Sequence, residues 1–391
     1  MPFEMNQDMI IDVLSRCPAS VVDKFRIILN KECYKRTYNS SFIKLNLQRT
    51  NSVSGYFLQY MRRYNQFSAF VEVLGNRTCE SEISLDFLPP GRVKIEACDA
   101  SHGILLCIND RPVRGRGPLF IICKPTTKQY LIIPNPKTRY FAVKYGLMVI
   151  GSNPFRYKIL RLSNLPSVEK RRRYNFNNNY FVCEVFDSDS FAWKRINNVE
   201  VPEDDLLSSM WRHWHSLPIA SYGVLHWLTL NNNVFGFCLK TETWLLIPVP
   251  ENVASASFLT LSSYEGKLAI ISLRSRDGMD YDEVWVLKSY FDNSWVSVKK
   301  IKKNEGLEPV WLSGNDAVTL ADWNMMSIYT KLYNRDRIFL YNLNNGKSHK
   351  SETRDPRFFP LFSDVSYFPF YSDYERVEFD GRSNGSRQVT L

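Results

Sequence analysis

The feature that most constrains this chain of 391 residues is a hairpin that keeps returning. A strand-like run ends in a polar turn of Thr, Ser, Asp, Asn or Lys, and a second strand-like run follows. The pattern occurs at 122–130, 185–193, 237–244, 286–295 and 340–347. With Lys124, Asp187, Cys238, Lys288 and Asn342 taken as equivalent, the intervals are 63, 51, 50 and 54 residues. Such a period marks one supersecondary unit repeated along the chain, because a single copy cannot bury its apolar face and must stack on its neighbours. Further strand pairs lie between the hairpins, at 223–228 and 265–271, so each copy holds about four strands. Four-stranded units repeated around a centre make a propeller, which leaves only short edges. The longest interval contains the basic, Asn-rich stretch 170–179, and an insertion of about a dozen residues there accounts for both its length and its composition.

Aromatic residues make up 14% of the chain and are spread rather than clustered, as expected when many short strands each contribute one large core residue. Trp193, Trp244 and Trp295 follow successive turns, which suits filling the gap between adjacent sheets better than stacking on a ligand. No apolar run approaches the roughly 20 residues that span a bilayer. The acidic start MPFEMNQDM lacks the basic-then-apolar order of a signal peptide. Together these features predict an intracellular soluble protein, cytoplasmic and/or nuclear, without a membrane partner. The eight cysteines form no CxxC pair, which points to reduced, buried thiols rather than a disulfide frame or a metal site. The formal charge of +10 is distributed along the chain, so it speaks first to solubility and nonspecific binding. The densest basic run, Lys170-Arg171-Arg172-Arg173, reads as a solvated loop, with a nuclear import signal as the second reading. Lys299-Lys300-Ile301-Lys302-Lys303 is the next densest.

The first 47 residues follow a different rule. Ile10, Ile11 and Leu14 recur at helical spacing, and Pro18 ends that helix and opens another. Ser20-Val21-Val22-Asp23 has the form of a capping box, and Val21, Phe25, Ile28 and Leu29 continue an apolar face. Short helices with this many apolar side chains cannot bury them within so few residues, so the segment needs a partner surface.

The order Met5-Asn6-Gln7-Asp8-Met9-Ile10-Ile11-Asp12-Val13-Leu14-Ser15-Arg16-Cys17-Pro18, then Lys24-Phe25-Arg26 and Ser41-Phe42-Ile43-Lys44-Leu45, resembles the F-box of the large plant F-box protein families. Asn6 stands where that family usually has Pro, Cys17 where it has Leu, and Cys33 where a Trp commonly precedes Tyr34. Later segments resemble the F-box-associated propeller of the same proteins: Ile104-Leu105-Leu106-Cys107, Pro125-Thr126-Thr127-Lys128-Gln129, Gly223-Val224-Leu225-His226-Trp227, Lys240-Thr241-Glu242-Thr243-Trp244 and Glu283-Val284-Trp285-Val286-Leu287. Lys124 replaces the usual Asn of its turn, and His102 falls where a small or amide residue is common.

The mixed aromatic and basic stretch reads as a connecting segment at 48–66, and the charged, Ser/Gly-containing end as a disordered tail at 372–391. Five hairpins are visible, and a sixth blade completed by strands from 67–108 and 357–371 would close the ring, which gives about six blades. The resemblance implies a small all-α N-terminal F-box at 1–47 and an all-β propeller of kelch type at 67–371. It further implies a substrate-recognition subunit of an SCF-type (Skp, cullin, F-box) ubiquitin ligase. Met5, Met9, Ile10, Leu14, Pro18, Val22 and Phe25 would bind the Skp-type adaptor, and through it the cullin and RING subunits, while the propeller binds a protein substrate. The alternative is an adaptor-independent propeller that binds an acidic partner such as RNA.

Little else carries chemistry. His213 and His215 lie two apart beside Trp211 and Trp214 but lack the further ligands that a metal site needs. His226, beside Trp227 in an apolar run, reads as a core histidine satisfied by a hydrogen bond. Neither GxxxxGK[ST] nor GxGxxG occurs. The expectation is a non-catalytic protein with no cofactor and no metal.

Overall fold

The computed structural model describes residues 6–26, 28–37, 40–62, 65–72, 83–110, 118–164, 179–201, 218–221, 223–229, 231–256, 258–264, 266–276, 279–302, 317–318, 325–332, 335–342, 348–352 and 365–379. Four helices come first: α1 (Gln7–Leu14), α2 (Ala19–Arg26), α3 (Lys31–Arg36) and α4 (Ser40–Arg49). Strands β1 (Val53–Arg62) and β2 (Asn65–Glu72) follow as a hairpin. Next are four antiparallel sheets in sequence order. The first holds β3 (Arg92–Asp99), β4 (Ile104–Asp110), β5 (Leu119–Lys124) and β6 (Gln129–Ile133). The second holds β7 (Ala142–Ser152), β8 (Phe155–Asn164) and β9 (Asn179–Asp187), with β10 (Ala192–Arg195) and β11 (Val199–Val201) both paired to β9. The third holds β12 (Ile219–Ser221), β13 (Val224–Leu228), β14 (Val234–Cys238) and β15 (Thr243–Ile247). The fourth holds β16 (Phe258–Tyr264), β17 (Lys267–Arg276), β18 (Met279–Ser289) and β19 (Ser294–Lys302). A fifth sheet contains β20 (Ala317–Val318), β21 (Met325–Leu332), β22 (Arg335–Asn342) and β23 (Ser348–Glu352). The last strand, β24 (Val365–Ser372), returns to pair with β1.

The molecule is therefore a β-propeller, and the described residues form five blades of four or five strands. This corrects the expectation of about six blades. The sheet β2-β1-β24 takes strands from early and late in the chain and has three strands among the described residues, because β3 and β4, which lie within 67–108, join the first blade instead. The central strand of this sheet, β1, lies inside the stretch 48–66 that was expected to connect two parts. Its run from Val53 to Gln59 is buried, so it lacks the alternation by which a half-exposed strand is read. Gln59 is itself buried and works as a surrogate peptide: its Nε2 donates to Ile95 O at 3.1 Å, and Ile95 N donates to its Oε1 at 2.6 Å, beside the bulge in β3.

The core lies between blades rather than in one centre. One cluster joins the first and second blades through Phe120, Tyr145, Tyr157, Phe186 and Trp193, and another joins the second and third through Leu160, Phe181, Trp227 and Phe237. The tryptophans do what their spacing implies. Trp193 Nε1 donates to Pro134 O at 2.7 Å and Trp295 Nε1 to Pro248 O at 3.0 Å, so each outer-strand indole reaches the residue just after the preceding blade's outer strand. Trp244 stacks on Phe235 with ring centroids 4.7 Å apart. An indole buried with its N–H satisfied keeps its large apolar area at no polar cost.

A buried charge pair pins the link between the first two blades. Arg161 on β8 and Glu184 on β9 face each other at 2.5 Å with side chains 6% and 1% exposed. Arg161 also donates to Thr138 Oγ1 at 2.9 Å and to Tyr140 O, while Glu184 accepts from Thr138 N at 3.2 Å and from the Thr138 hydroxyl at 2.6 Å. Removing one partner of such a pair strands a buried charge, at about 3–5 kcal/mol.

The end of the chain also departs from expectation. Residues 373–379, within the tail expected to be disordered, cross the first blade as a strap. Lys124, which was expected in a turn, is buried at the end of β5, pairs with Asp373 and donates to Glu375 O at 2.6 Å. Gln129 exchanges two hydrogen bonds with Val377, at 3.1 and 3.0 Å. Phe379 is 1% exposed and packs edge-on against Phe155. The rest of the expected tail, 380–391, lies outside the described residues.

Helices and propeller meet at Asn46, which is 2% exposed. Its amide nitrogen lies 2.8 Å from Cys17 O and 3.2 Å from Ser15 O, where it satisfies carbonyls left open at the end of α1, and its Oδ1 accepts from the Tyr371 hydroxyl at 2.8 Å. Tyr371 N donates to Ala100 O at 2.8 Å, and a side chain on Gly103 (φ +62°) would overlap Ser372. We predict that Asn46→Ala lowers stability by about 2–4 kcal/mol, because it leaves several buried polar groups unpaired at about 1–3 kcal/mol each. Tyr371→Phe removes one of those bonds and should cost about 1–2 kcal/mol. Urea unfolding of both variants checks this, and losses below about 0.5 kcal/mol for Asn46→Ala would show that the joint is not a structural one.

Candidate functional site

The helical unit builds a small core and leaves a second apolar set in solvent. Asn6, at the position where Pro is usual in the resembling family, caps α1: its Oδ1 accepts from Asp8 N at 3.1 Å. α2 starts at Ala19, with Pro18 O accepting from Val22 N at 3.0 Å, so Ser20 lies inside the first turn instead of capping it. Asn30 caps α3 by accepting from Cys33 N at 2.9 Å. Arg26 ties α2 to the end of α3 through Thr37 Oγ1 and O, each at 2.9 Å. Arg49 on α4 holds Asp12 at 2.6 Å, and together with Arg16 it keeps that carboxyl below its ordinary range.

Leu14, Val22, Phe42, Ile43 and Leu47 form the core of the unit together with Tyr371 of β24, and Ile10, Ile11, Cys17 and Leu29 pack against it half-buried. The surface that the helices were expected to need is thus supplied in part by the chain's own last strand. This divides the residues expected to bind an adaptor. Leu14 and Val22 are 4% and 2% exposed and hold the unit together. Ile10 and Pro18 are half-buried, and Met5 lies outside the described residues. Met9 and Phe25 are free, at 59% and 45% exposed. Two further residues join them: Val13, one turn from Met9 on the same face of α1, and Ile28, three residues after Phe25, 53% and 75% exposed. Helical spacing from Met9 and Phe25 was the signal that could have found both.

The remaining candidates sit in the propeller. His226 is fully buried, with Nδ1 donating to Ile219 O and Nε2 accepting from the Tyr290 hydroxyl, both at 3.0 Å. A carbonyl can only accept, which fixes the proton on Nδ1. The ring is a satisfied core histidine, and burial depresses its pKa to about 4. Asp99 accepts from Val149 N at 2.7 Å and lies 2.8 Å from His102 Nδ1; although burial opposes it, the His102 neighbour keeps its carboxyl below the ordinary range. His213, His215 and the run 170–173 lie outside the described residues, and so does the expected insertion, which falls between β8 and β9. Among the described residues four of seven free cysteines are buried, and no group of His, Cys, Asp or Glu is placed to hold a metal ion. No helix among them is long and apolar enough to cross a membrane.

Comparison with known families decides where this architecture belongs. The model for the F-box associated beta propeller domain matches residues 58–370. The chain belongs to this family. Among curated relatives, F-box protein At5g41720 of Arabidopsis thaliana is 50% identical over 165 residues, covering 41% of this chain and 87% of that protein. F-box protein At5g49610 of the same plant is 24% identical over 350 residues, 83% of this chain and 88% of that one. Among solved structures, TolB from Acinetobacter baumannii is 9% identical with a TM-score of 0.44, over 81% of this chain and 66% of its own, just under two thirds.

The titration of His226 gives a measurable consequence. Its folded pKa of about 4 lies below the ordinary 6.5, so the fold favours the neutral ring. The contribution is present above pH 6.5 and is lost as the pH falls from about 6.5 through about 4, by up to about 3 kcal/mol. His226→Asn, which keeps an N–H for Ile219 O, should show a shallower decline in urea midpoint over that window. Parallel declines for the two proteins would refute the assignment.

Proposed function

We propose that this chain is the substrate-recognition subunit of an SCF-type ubiquitin ligase. On this reading residues 1–47, with α1–α3 and most of α4, form an F-box that binds a Skp-type adaptor, and the propeller, of kelch type, receives a protein substrate in the cytoplasm and/or nucleus. The observation that carries the reading is the exposure of Met9, Val13, Phe25 and Ile28 on a helical unit fused to an F-box-associated propeller. Exposed apolar residues on a unit whose own core is already closed are a partner surface rather than unfinished packing. The chain itself makes and breaks no bond in this scheme; it raises the effective concentration of substrate lysines near a charged conjugating enzyme.

The joint at Asn46 and Tyr371 supports the scheme physically. A receptor that delivers a substrate benefits from a fixed distance between its two ends, and a hydrogen-bonded, buried joint restricts the swing that a flexible linker would allow. Replacing Phe25 and Met9 by Glu tests the adaptor face. Both are exposed, so folding should be retained, while recovery of a purified plant Skp-type adaptor in a pull-down should fall at least about tenfold, as for buried aromatic anchors at interfaces. Undiminished recovery by the double variant would reject this face as the docking surface.

A further inference from the structure

The link 134–141 between the first and second blades has a construction that turn closure does not require. It runs from the outer strand β6 to the inner strand β7, and the buried Arg161–Glu184 pair fastens it at Thr138 and Tyr140. Both ends are fastened too, by Trp193 on Pro134 O and by Asn164 N on Phe141 O at 2.9 Å. Pro134 and Pro136 restrict the backbone further. The segment alternates: Thr138 and Tyr140 are half-buried, whereas Lys137, Arg139 and Phe141 are exposed, Phe141 at 74%. The result is a rigid strip showing two cations and an aromatic ring to solvent. No Asp or Glu occurs in 134–141, and Glu184, which holds Thr138 from beneath, is already paired with Arg161.

Strand direction sets where the strip lies. β24 ends at Ser372 opposite Val53, the residue that follows the helical unit, and Tyr371 also touches the turn between β3 and β4. β3 therefore runs toward the helices, β4 away, β5 toward and β6 away, so 134–141 lies at the end of the propeller remote from the helical unit.

The geometry points to this strip, Lys137, Arg139 and Phe141, as a recognition surface for an acidic protein segment that carries an apolar side chain. Carboxylates pair with the two cations, and the apolar residue covers the Phe141 ring. A strip that is already ordered loses little conformational freedom on binding, which favours affinity from a short contact. A nucleic acid fits less well, since its affinity depends on neutralising many phosphates and the strip offers two cations. The inference deepens the substrate-receptor reading and rests on it for the identity of the ligand as a substrate. Its test uses no adaptor, so it fails or succeeds independently of the pull-down.

A random 12-residue peptide library selected on the full chain, with Lys137→Glu/Arg139→Glu as the counter-target, tests the proposal. The expected result is enrichment of Asp and Glu around an apolar residue. Synthetic copies of the selected peptides should bind the double variant at least about tenfold more weakly, with the gap shrinking as salt rises. Phe141→Ser should weaken the same peptides, and a matching melting temperature shows that each variant is folded. Lys137→Gln/Arg139→Gln replaces the charge reversal if that variant unfolds. An unenriched library, peptides without acidic bias, or equal binding to wild type and variant would overturn the proposal. So would an oligo(U) 12-mer that discriminates between the two proteins while no acidic peptide does.

Discussion

The whole arrangement depends on one strand pairing that joins residues far apart in sequence. β24 lies against β1 from Val53 opposite Ser372 to Tyr60 opposite Val365. In an open propeller the first and last sheets would present unpaired edges, which invite pairing with other chains. Here one sheet takes strands from early and late in the chain, so the loss of either leaves the other with an unpaired edge. The helical unit depends on the same pairing, because Tyr371 completes its core and holds Asn46 from below. Polar and apolar contacts thus converge on a single strand that serves the ring on one face and the helices at its end.

Placing the core in the seams between blades has a functional corollary. Among the described residues adjacent blades bury their faces against each other, through rings such as Phe120, Tyr145 and Trp193 in one seam and Phe235, Phe237 and Trp244 in the next. Rigidity therefore arises at the sides of the blades, and links add to it: Val249 and Val253 of the link between the third and fourth blades are core residues, and the link 134–141 is fastened by a buried charge pair. Such a pair is a poor source of net stability compared with apolar packing, and its value lies in fixing one conformation of the segment above it.

The repeat was legible because its turns use chemistry that local sequence displays. Lys128, Phe191, Glu242 and Asn293 adopt positive φ in or beside successive hairpin turns, and they fall within the motif that recurs about every 50 residues. β1 was not legible as a strand of the ring, since burial on both faces removes the alternation that marks a strand. The helical unit was legible as helices but not as surfaces. Met9 and Leu14 both lie on an apolar stripe, and only the return of Tyr371 decides which of them is covered. The strap at 373–379 was missed for a related reason. Its charged composition resembles a frayed end, while the buried Lys124 and Gln129 that receive it are nearly 250 residues earlier. Contacts of that range leave no local signature.

The distance between Asn46 and Tyr371, 325 residues, has a consequence for the chain as it is made. At a synthesis rate of about 5–20 residues per second, the amide of Asn46 waits roughly 15–65 s for its hydroxyl partner. Throughout that interval the β1–β2 hairpin has one free edge, and the helical unit lacks a wall of its core. The newborn protein is therefore exposed at both of its future joints until β24 emerges, and that strand decides whether the parts already made become one body.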